Sequence, residues 1–246
     1  MASIMQSAHG SSEFVTCCAG PGAAAGVNGG WVATGGTDWS VRLWDVIKWR
    51  ELGRLSFRGH SRTVKSLAVS PGGNLLVSGG EDQKVVIWSP QSRRSIATLE
   101  GHASIVNGVT IDPGTQPGQD PRWVASGCGG GFLLVWDPRN WKHPVATLRG
   151  NVLDDGDASS PGGGGRLSSL KRQHSGPRAG KWEGEASGAT MLNSVNCLAA
   201  GAGGNWLFAA GETVVRAWSR RAGMWVGGEE LPGKGLGGVS SLCVLD

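Results

Sequence analysis

Tryptophan recurs along this chain at a nearly constant interval, each time at the end of a short apolar run. The tryptophans are Trp44, Trp88, Trp136 and Trp218. The first three are separated by 44 and 48 residues, and the last follows after a gap of 82 residues. Two Gly-His pairs repeat the same interval, with 42 residues between His60 and His102. A fixed period of this length predicts an architecture of repeated, similar units, with an insertion before the last one.

The stretch 59–90 shows what one repeat contains. It holds three short apolar runs, at 64–69, 75–77 and 84–88. A Pro-Gly-Gly-Asn turn at 71–74 separates the first two runs, and the glycine pair at 79–80 is expected to end the second. Short runs rich in Val and Ile, with Gly, Pro, Asn and Asp between them, are typical of antiparallel strands joined by hairpins.

This stretch resembles a WD repeat, the unit of one β-propeller blade. The matching features are Gly59-His60, the turn at 70–72, Ser78-Gly79-Gly80, Asp82 and Trp88. Ser89 stands where the family has the final Asp of its Trp-Asp pair. The resemblance implies an all-β fold, a β-propeller of four-stranded antiparallel blades, here incomplete or truncated.

The repeats divide the chain into three parts. Residues 1–150 are predicted to form blades one to three, preceded at 2–8 by the outer strand of another blade. Residues 151–190 are rich in Gly, Ser and charged residues and are predicted to be a disordered insertion, because few apolar side chains are available to offset the entropy of ordering. Residues 191–246 should form blade four and the first strand of a fifth blade. Closing the ring would need another chain or a further segment.

Composition narrows the class of protein. With 43 glycines, 12 tryptophans and no tyrosine, the chain favours an all-β protein with many turns. There is no apolar stretch of membrane-spanning length and no signal-like N-terminus, so we expect an intracellular protein, cytoplasmic or nuclear. The five cysteines lack metal-binding spacing, which predicts free thiols and no metal or other cofactor.

His60, Ser78 and Asp82 are the residue types of a hydrolase triad. A catalytic set is needed once, whereas this one recurs from blade to blade, so we interpret it as structural and expect no enzyme. The resemblance implies instead a buried hydrogen-bonded tetrad in each blade. Its expected members are His9, Thr34, Asp38 and Trp44 in blade one, His60, Ser78, Asp82 and Trp88 in blade two, and His102, Ser126 and Trp136 in blade three.

The same resemblance implies a non-catalytic scaffold or adaptor that binds proteins or peptides on its top face, around the central channel. The matching positions are Glu13, Thr37, Thr63, Lys65, Glu81, Ile105, Asn107, Ser194 and Asn196. An alternative function is a nucleic-acid-associated assembly factor, a ribonucleoprotein or chromatin component, that uses the basic residues within 166–181. The formal charge of +4 permits an acidic partner without requiring nucleic acid.

Overall fold

The structure is a computed structural model that describes residues 12–21, 30–55, 59–114, 119–149, 194–212, 214–231, 239 and 242. These residues form 16 β-strands in four separate sheets, and a short 3-10 turn at Ala202–Gly204. Each sheet contains four antiparallel strands in sequence order, so each is a simple meander. The all-β fold with four-stranded antiparallel blades is therefore confirmed.

The first two sheets have these bounds. Blade one comprises β1 (Val15–Ala19), β2 (Trp31–Gly36), β3 (Val41–Asp45) and β4 (Arg50–Leu55). Blade two comprises β5 (Val64–Val69), β6 (Leu76–Gly80), β7 (Val85–Ser89) and β8 (Arg94–Leu99).

The other two sheets repeat this pattern. Blade three comprises β9 (Val106–Ile111), β10 (Val124–Cys128), β11 (Phe132–Trp136) and β12 (Ala146–Arg149). Blade four comprises β13 (Cys197–Ala200), β14 (Trp206–Ala210), β15 (Val215–Arg221) and β16 (Met224–Glu230). In each blade we call the four strands a to d.

Apolar side chains between successive blades form the core. One cluster joins blades one and two, a second joins blades two and three, and a third joins blades three and four. Within the described part of the chain, no packing of comparable extent joins blade four to blade one. The four blades therefore form an open arc, and their a strands lie side by side along its inner edge.

A glycine on strand b contacts a valine that lies at or just before the start of strand a of the next blade. A Cβ atom on Gly35, Gly79 or Gly127 would come within 2.5–2.6 Å of a methyl group of Val64, Val106 or Val195, respectively. This contact explains why strand b continues through its glycines. In blade two, β6 ends at Gly80, so the glycine pair forms the last two residues of the strand.

The meander gives the arc two faces. The a–b and c–d turns lie on one face, which we call the bottom, and the b–c turns and the starts of the a strands lie on the other, the top. The predicted strand at 2–8, the insertion at 151–190 and most of the predicted strand at 239–246 fall outside the described residues. No helix in the described ranges is long and apolar enough to cross a membrane.

Candidate functional site

Blade two brings its four predicted tetrad residues together. His60 Nε2 lies 2.7 Å from Ser78 Oγ, and His60 Nδ1 lies 2.9 and 3.1 Å from the two Asp82 oxygens. Trp88 Nε1 donates to Ser78 Oγ at 2.8 Å. Because a carboxylate only accepts hydrogen bonds, His60 Nδ1 carries the proton and Nε2 accepts from the serine hydroxyl. The chain of bonds therefore runs from Trp88 through Ser78 and His60 to Asp82, and ties strand c to the loop before strand a.

Asp82 is held as a carboxylate by this network. Burial by itself raises the pKa of the carboxyl, but His60 and the backbone N–H groups of Ser61 and Lys84 outweigh burial and lower it. Ser61 N–H donates to Asp82 at 3.0 Å. Since the side chains of His60 and Asp82 are 0% and 4% exposed, this set lies inside the blade and not in an open cleft.

Blade three keeps only part of the network. His102 Nε2 lies 2.7 Å from Ser126 Oγ, to which Trp136 Nε1 donates at 2.9 Å. Gly130 stands where blade two has Asp82, and among the described residues the buried His102 Nδ1 has no hydrogen-bond partner. Burial lowers the pKa of His102 to about 4, so the ring is neutral at pH 7. Phe132 stacks on the imidazole, with ring centroids 5.4 Å apart, and covers its face.

Blade one shows half of its predicted set. Trp44 Nε1 donates to Thr34 Oγ1 at 2.8 Å. His9 falls outside the described residues. Asp38 contacts Ser40 within its own turn and also forms an ion pair of 3.0 Å with Arg42.

The a strands line a central channel with a cavity of about 640 Å³. At equivalent positions, the Asn107 amide donates to the Val195 carbonyl at 3.0 Å, the Asn196 amide donates to the Val239 carbonyl at 3.5 Å, and the Thr16 hydroxyl contacts the Val64 carbonyl. Each bond joins one a strand to the next a strand or to Val239. Lys65 occupies this position in blade two, where its ammonium instead lies 3.8 Å from the Glu81 carboxylate.

Most of the predicted top-face residues lie at two kinds of position, the start of strand a and the b–c turn. Thr37 Oγ1 donates to Glu13 in blade one, and Glu81 N–H donates to the Thr63 carbonyl at 2.9 Å in blade two. In blade four, Ser194 Oγ donates to the Asn196 amide oxygen at 2.9 Å.

Three of the nine predicted residues line the channel. They are Lys65, Asn107 and Asn196. Ile105 is exposed at the start of β9, and its carbonyl accepts from Gly129 N–H at 2.9 Å. The nine residues therefore lie at the start of strand a or in the b–c turn of their blades, and they form separate contacts in each blade.

Two exposed aromatic residues on the top of blade one were missed by the sequence analysis. Phe14 is 73% exposed and Trp39 is 54% exposed. Trp39 has φ 64°, the left-handed conformation that Gln83 and Gly131 adopt at the same position in blades two and three. A bulky side chain is rarely found there. The sequence could have indicated Trp39, because it is a tryptophan in a b–c turn. Blades two and three have Gln83 and Gly131 at the same position, so folding of a blade does not need an aromatic residue there.

The repeats identify the family. The family model described as WD domain, G-beta repeat matches residues 3–45, 53–89 and 93–137, which together make up just over half of the chain. The chain belongs to the WD-repeat family. The matched residues of this WD-repeat chain end within blade three. Blade four also lacks the serine of the tetrad, since Ala209 stands where blade two has Ser78.

Three curated proteins similar to this WD-repeat chain are each longer than it. Methylosome protein WDR77 of Xenopus laevis is 29% identical over 148 residues, which are 56% of this chain and 43% of that protein. Transducin beta-like protein 3 of Rattus norvegicus is 31% identical over 113 residues, 45% of this chain and 13% of that protein. Protein hir-1 of Neurospora crassa is 42% identical over 71 residues, 29% of this chain and 7% of that protein. The chain thus spans less than half the length of these relatives.

A solved structure, that of U3-55K, matches the same fold. The alignment has a TM-score of 0.57 at 19% sequence identity and covers 87% of this chain and 51% of that chain. This likeness supports the β-propeller architecture of the four blades.

Proposed function

We propose that this WD-repeat protein is a non-catalytic scaffold that binds protein or peptide partners on its top face. The observation that carries the proposal is the pair Phe14 and Trp39, two largely exposed aromatic residues on the top of blade one. Exposed aromatic side chains bury a large area at low entropic cost and often dominate the energy of an interface. Trp39 is also retained in a backbone conformation that costs free energy, as functional residues often are.

Hydrogen bonding around the opening supports a preformed surface. The b–c turns of blades one, two and three are tied to the start of strand a in the same blade by backbone bonds of 2.9–3.0 Å. A surface that is already ordered loses little conformational entropy on binding. Lys65, Asn107 and Asn196 would supply polar contacts at the channel mouth, and Glu13, Thr37, Thr63 and Glu81 would supply them on the rim of the opening.

Selection of peptides on the intact chain tests this proposal. We expect a random 12-residue peptide display library to yield binders whose affinity falls at least about tenfold in Trp39→Asn, since a central aromatic residue of an interface is worth about 2 kcal/mol or more. The matched control is Trp49→Asn on the bottom face, which removes a tryptophan of similar exposure and backbone conformation. The proposal fails if the selected peptides bind both variants equally, or if no peptide binds.

The absence of catalysis is part of the proposal and rests on burial. His60, Ser78 and Asp82 have the pairwise distances of a hydrolase triad, but Ser78 is 0% exposed and its oxygen accepts from Trp88. A nucleophile must reach its substrate, and a buried one cannot. We expect a serine-reactive fluorophosphonate probe to leave Ser78 unlabelled, as judged by mass spectrometry of the folded protein. Labelling that Asp82→Asn abolishes would instead indicate an enzyme.

We place the protein inside the cell, because the described cysteines at 17, 18, 128 and 197 are free thiols. One relative is named a methylosome protein, and we infer that this chain likewise works within a multiprotein assembly. A role of the basic residues within 166–181 in binding nucleic acid stays a prediction, since these residues lie outside the described ranges.

A further inference from the structure

Arginine or lysine lies within or beside the c–d turn of every blade. These turns connect β3 to β4, β7 to β8, β11 to β12 and β15 to β16, and all lie on the bottom face. The basic residues within or beside them are Lys48, Arg50, Arg93, Arg94, Arg139, Lys142, Arg220 and Arg221. All are exposed except Arg220, which is half-buried. We call this set the c–d rim.

Among the described residues, seven of the eight rim cations form no direct ion pair, although the Asp45 carboxylate lies near Lys48 and Arg50 and the Asp137 carboxylate lies near Arg220. The eighth, Arg139, lies 2.6 Å from Asp137. Cations near the top face are arranged differently, since Lys65 lies 3.8 Å from Glu81 and Lys84 lies 2.9 Å from Glu100. The c–d rim therefore carries more cations than the neighbouring carboxylates Asp45 and Asp137 can neutralise.

Blade one adds an aromatic residue to the rim. Trp49 is 57% exposed and has φ 52°, at the turn position where blade two has Arg93 with φ 57°. The turn is held in place by Asp45, which accepts from the N–H groups of Ile47 and Lys48 at 3.0 and 2.8 Å. Trp49 is thus presented to solvent on an ordered turn, between Lys48 and Arg50.

We propose that the c–d rim binds single-stranded nucleic acid, with its cations along the phosphates and Trp49 stacked on a base. Positive charge repeated over four successive turns matches a polymer with one negative charge in every unit. Arginine, which forms two parallel hydrogen bonds to phosphate, supplies six of the eight cations. Cationic surfaces with exposed aromatic side chains are the common solution for binding single strands without sequence preference.

An acidic protein segment is the competing ligand. It would form ion pairs with the same cations, but Trp49 would add less to its affinity, because carboxylate side chains lack the aromatic face of a base. This rim is also distinct from the basic residues within 166–181 and from the top face.

The test is fluorescence anisotropy of the full chain with a labelled 20-nucleotide oligouridylate. We expect binding at 50 mM salt that weakens steeply as salt rises. In the double variant Arg93→Glu and Arg94→Glu, the affinity should fall at least about tenfold, and the slope of log affinity against log salt should lose about 1.4, the value for two phosphate contacts on a single strand. The matched control, Arg62→Glu with Lys84→Glu on the top face, should stay within about twofold.

A pair of tryptophan variants separates stacking from charge. Trp49→Asn should weaken oligouridylate binding about fivefold or more with the salt slope unchanged, since loss of base stacking removes no phosphate contact. Trp39→Asn, which changes a tryptophan of the same backbone conformation on the top face, should leave oligouridylate binding unchanged. Circular dichroism melts of each variant establish that the fold is retained.

Three results would overturn the proposal. The first is the absence of oligouridylate binding at 50 mM salt. The second is an equal loss of affinity in the rim and top-face double variants, which would indicate attraction to net charge or to another segment. The third is displacement of the oligonucleotide by polyglutamate at equal charge concentration, together with no effect of Trp49→Asn, which would identify the rim as a surface for acidic proteins.

Discussion

At the scale of single residues, His60 and His102 show two ways to accommodate a buried imidazole at the same position of a blade. His60 uses both ring nitrogens, one toward Ser78 and the other toward Asp82. His102 uses one nitrogen and covers its ring with Phe132. The two histidines therefore depend on different neighbouring groups.

Removal of Asp82 should destabilise the fold. Asp82→Ala leaves the buried His60 Nδ1–H without an acceptor, and we expect a loss of about 1–3 kcal/mol in the free energy of unfolding. Urea denaturation measures this loss, and the exposed Asp120→Ala serves as the control, with an expected change within about 0.5 kcal/mol. An equal, small effect of both substitutions would show that the blade-two network contributes little stability.

His102 should make stability depend on pH. Its pKa is about 4 in the folded protein, below the ordinary value of 6.5 for an exposed imidazole, so the unfolded chain binds the proton more tightly. Its contribution is fully present above pH 6.5 and declines as pH falls toward 4, by on the order of 2–3 kcal/mol. We expect His102→Gln to show a shallower loss of stability than wild type across this window in urea unfolding at several pH values. If the free energy of unfolding of the two proteins changed with pH in parallel, His102 would not be a source of the pH dependence.

At the scale of elements, the contacts between blades decide where strands continue. Residues 75–77 looked like a complete strand, since a glycine pair normally weakens a strand. The structure instead continues β6 through Gly79 because Val106 of the next blade needs the space that a Cβ atom would fill. This pairing was not visible in the sequence, because it joins positions far apart in the chain. The tryptophan at or next to the end of strand c was predicted directly in blades one to three, since that mark is local. In blade four, β15 continues past Trp218 to Arg221.

Placing a methyl group in one of these glycine positions should destabilise the interface between two blades. Gly79→Ala would bring a Cβ atom to 2.5 Å from Val106, and we expect a loss of about 1–3 kcal/mol. Adding Val106→Ala should recover part of the loss, so the double variant should be more stable than the sum of the single effects predicts. Gly20→Ala is the control, since its nearest neighbour is an ordinary contact at 3.4 Å. Additive effects in thermal melts would contradict the proposed contact.

At the scale of the whole molecule, the sequence predicts the architecture better than the binding surfaces. The period of tryptophans and Gly-His pairs predicts four blades, and the four sheets confirm them. The binding residues are harder to predict, because exposure depends on how turns from different blades are arranged around the arc. Phe14 and Trp39 come together only on the top of blade one, and the cations of the c–d rim share a face only once the meander is built.

Amide hydrogen exchange of the intact chain, with and without a peptide selected on it, tests the proposed top-face scaffold most directly. We predict slower exchange in the peptide complex at the b–c turns around Thr37 and Glu81 and at the starts of β5 and β9, with the c–d turns unchanged. Protection confined to the c–d turns, or spread evenly over all four blades, would contradict binding on the top face.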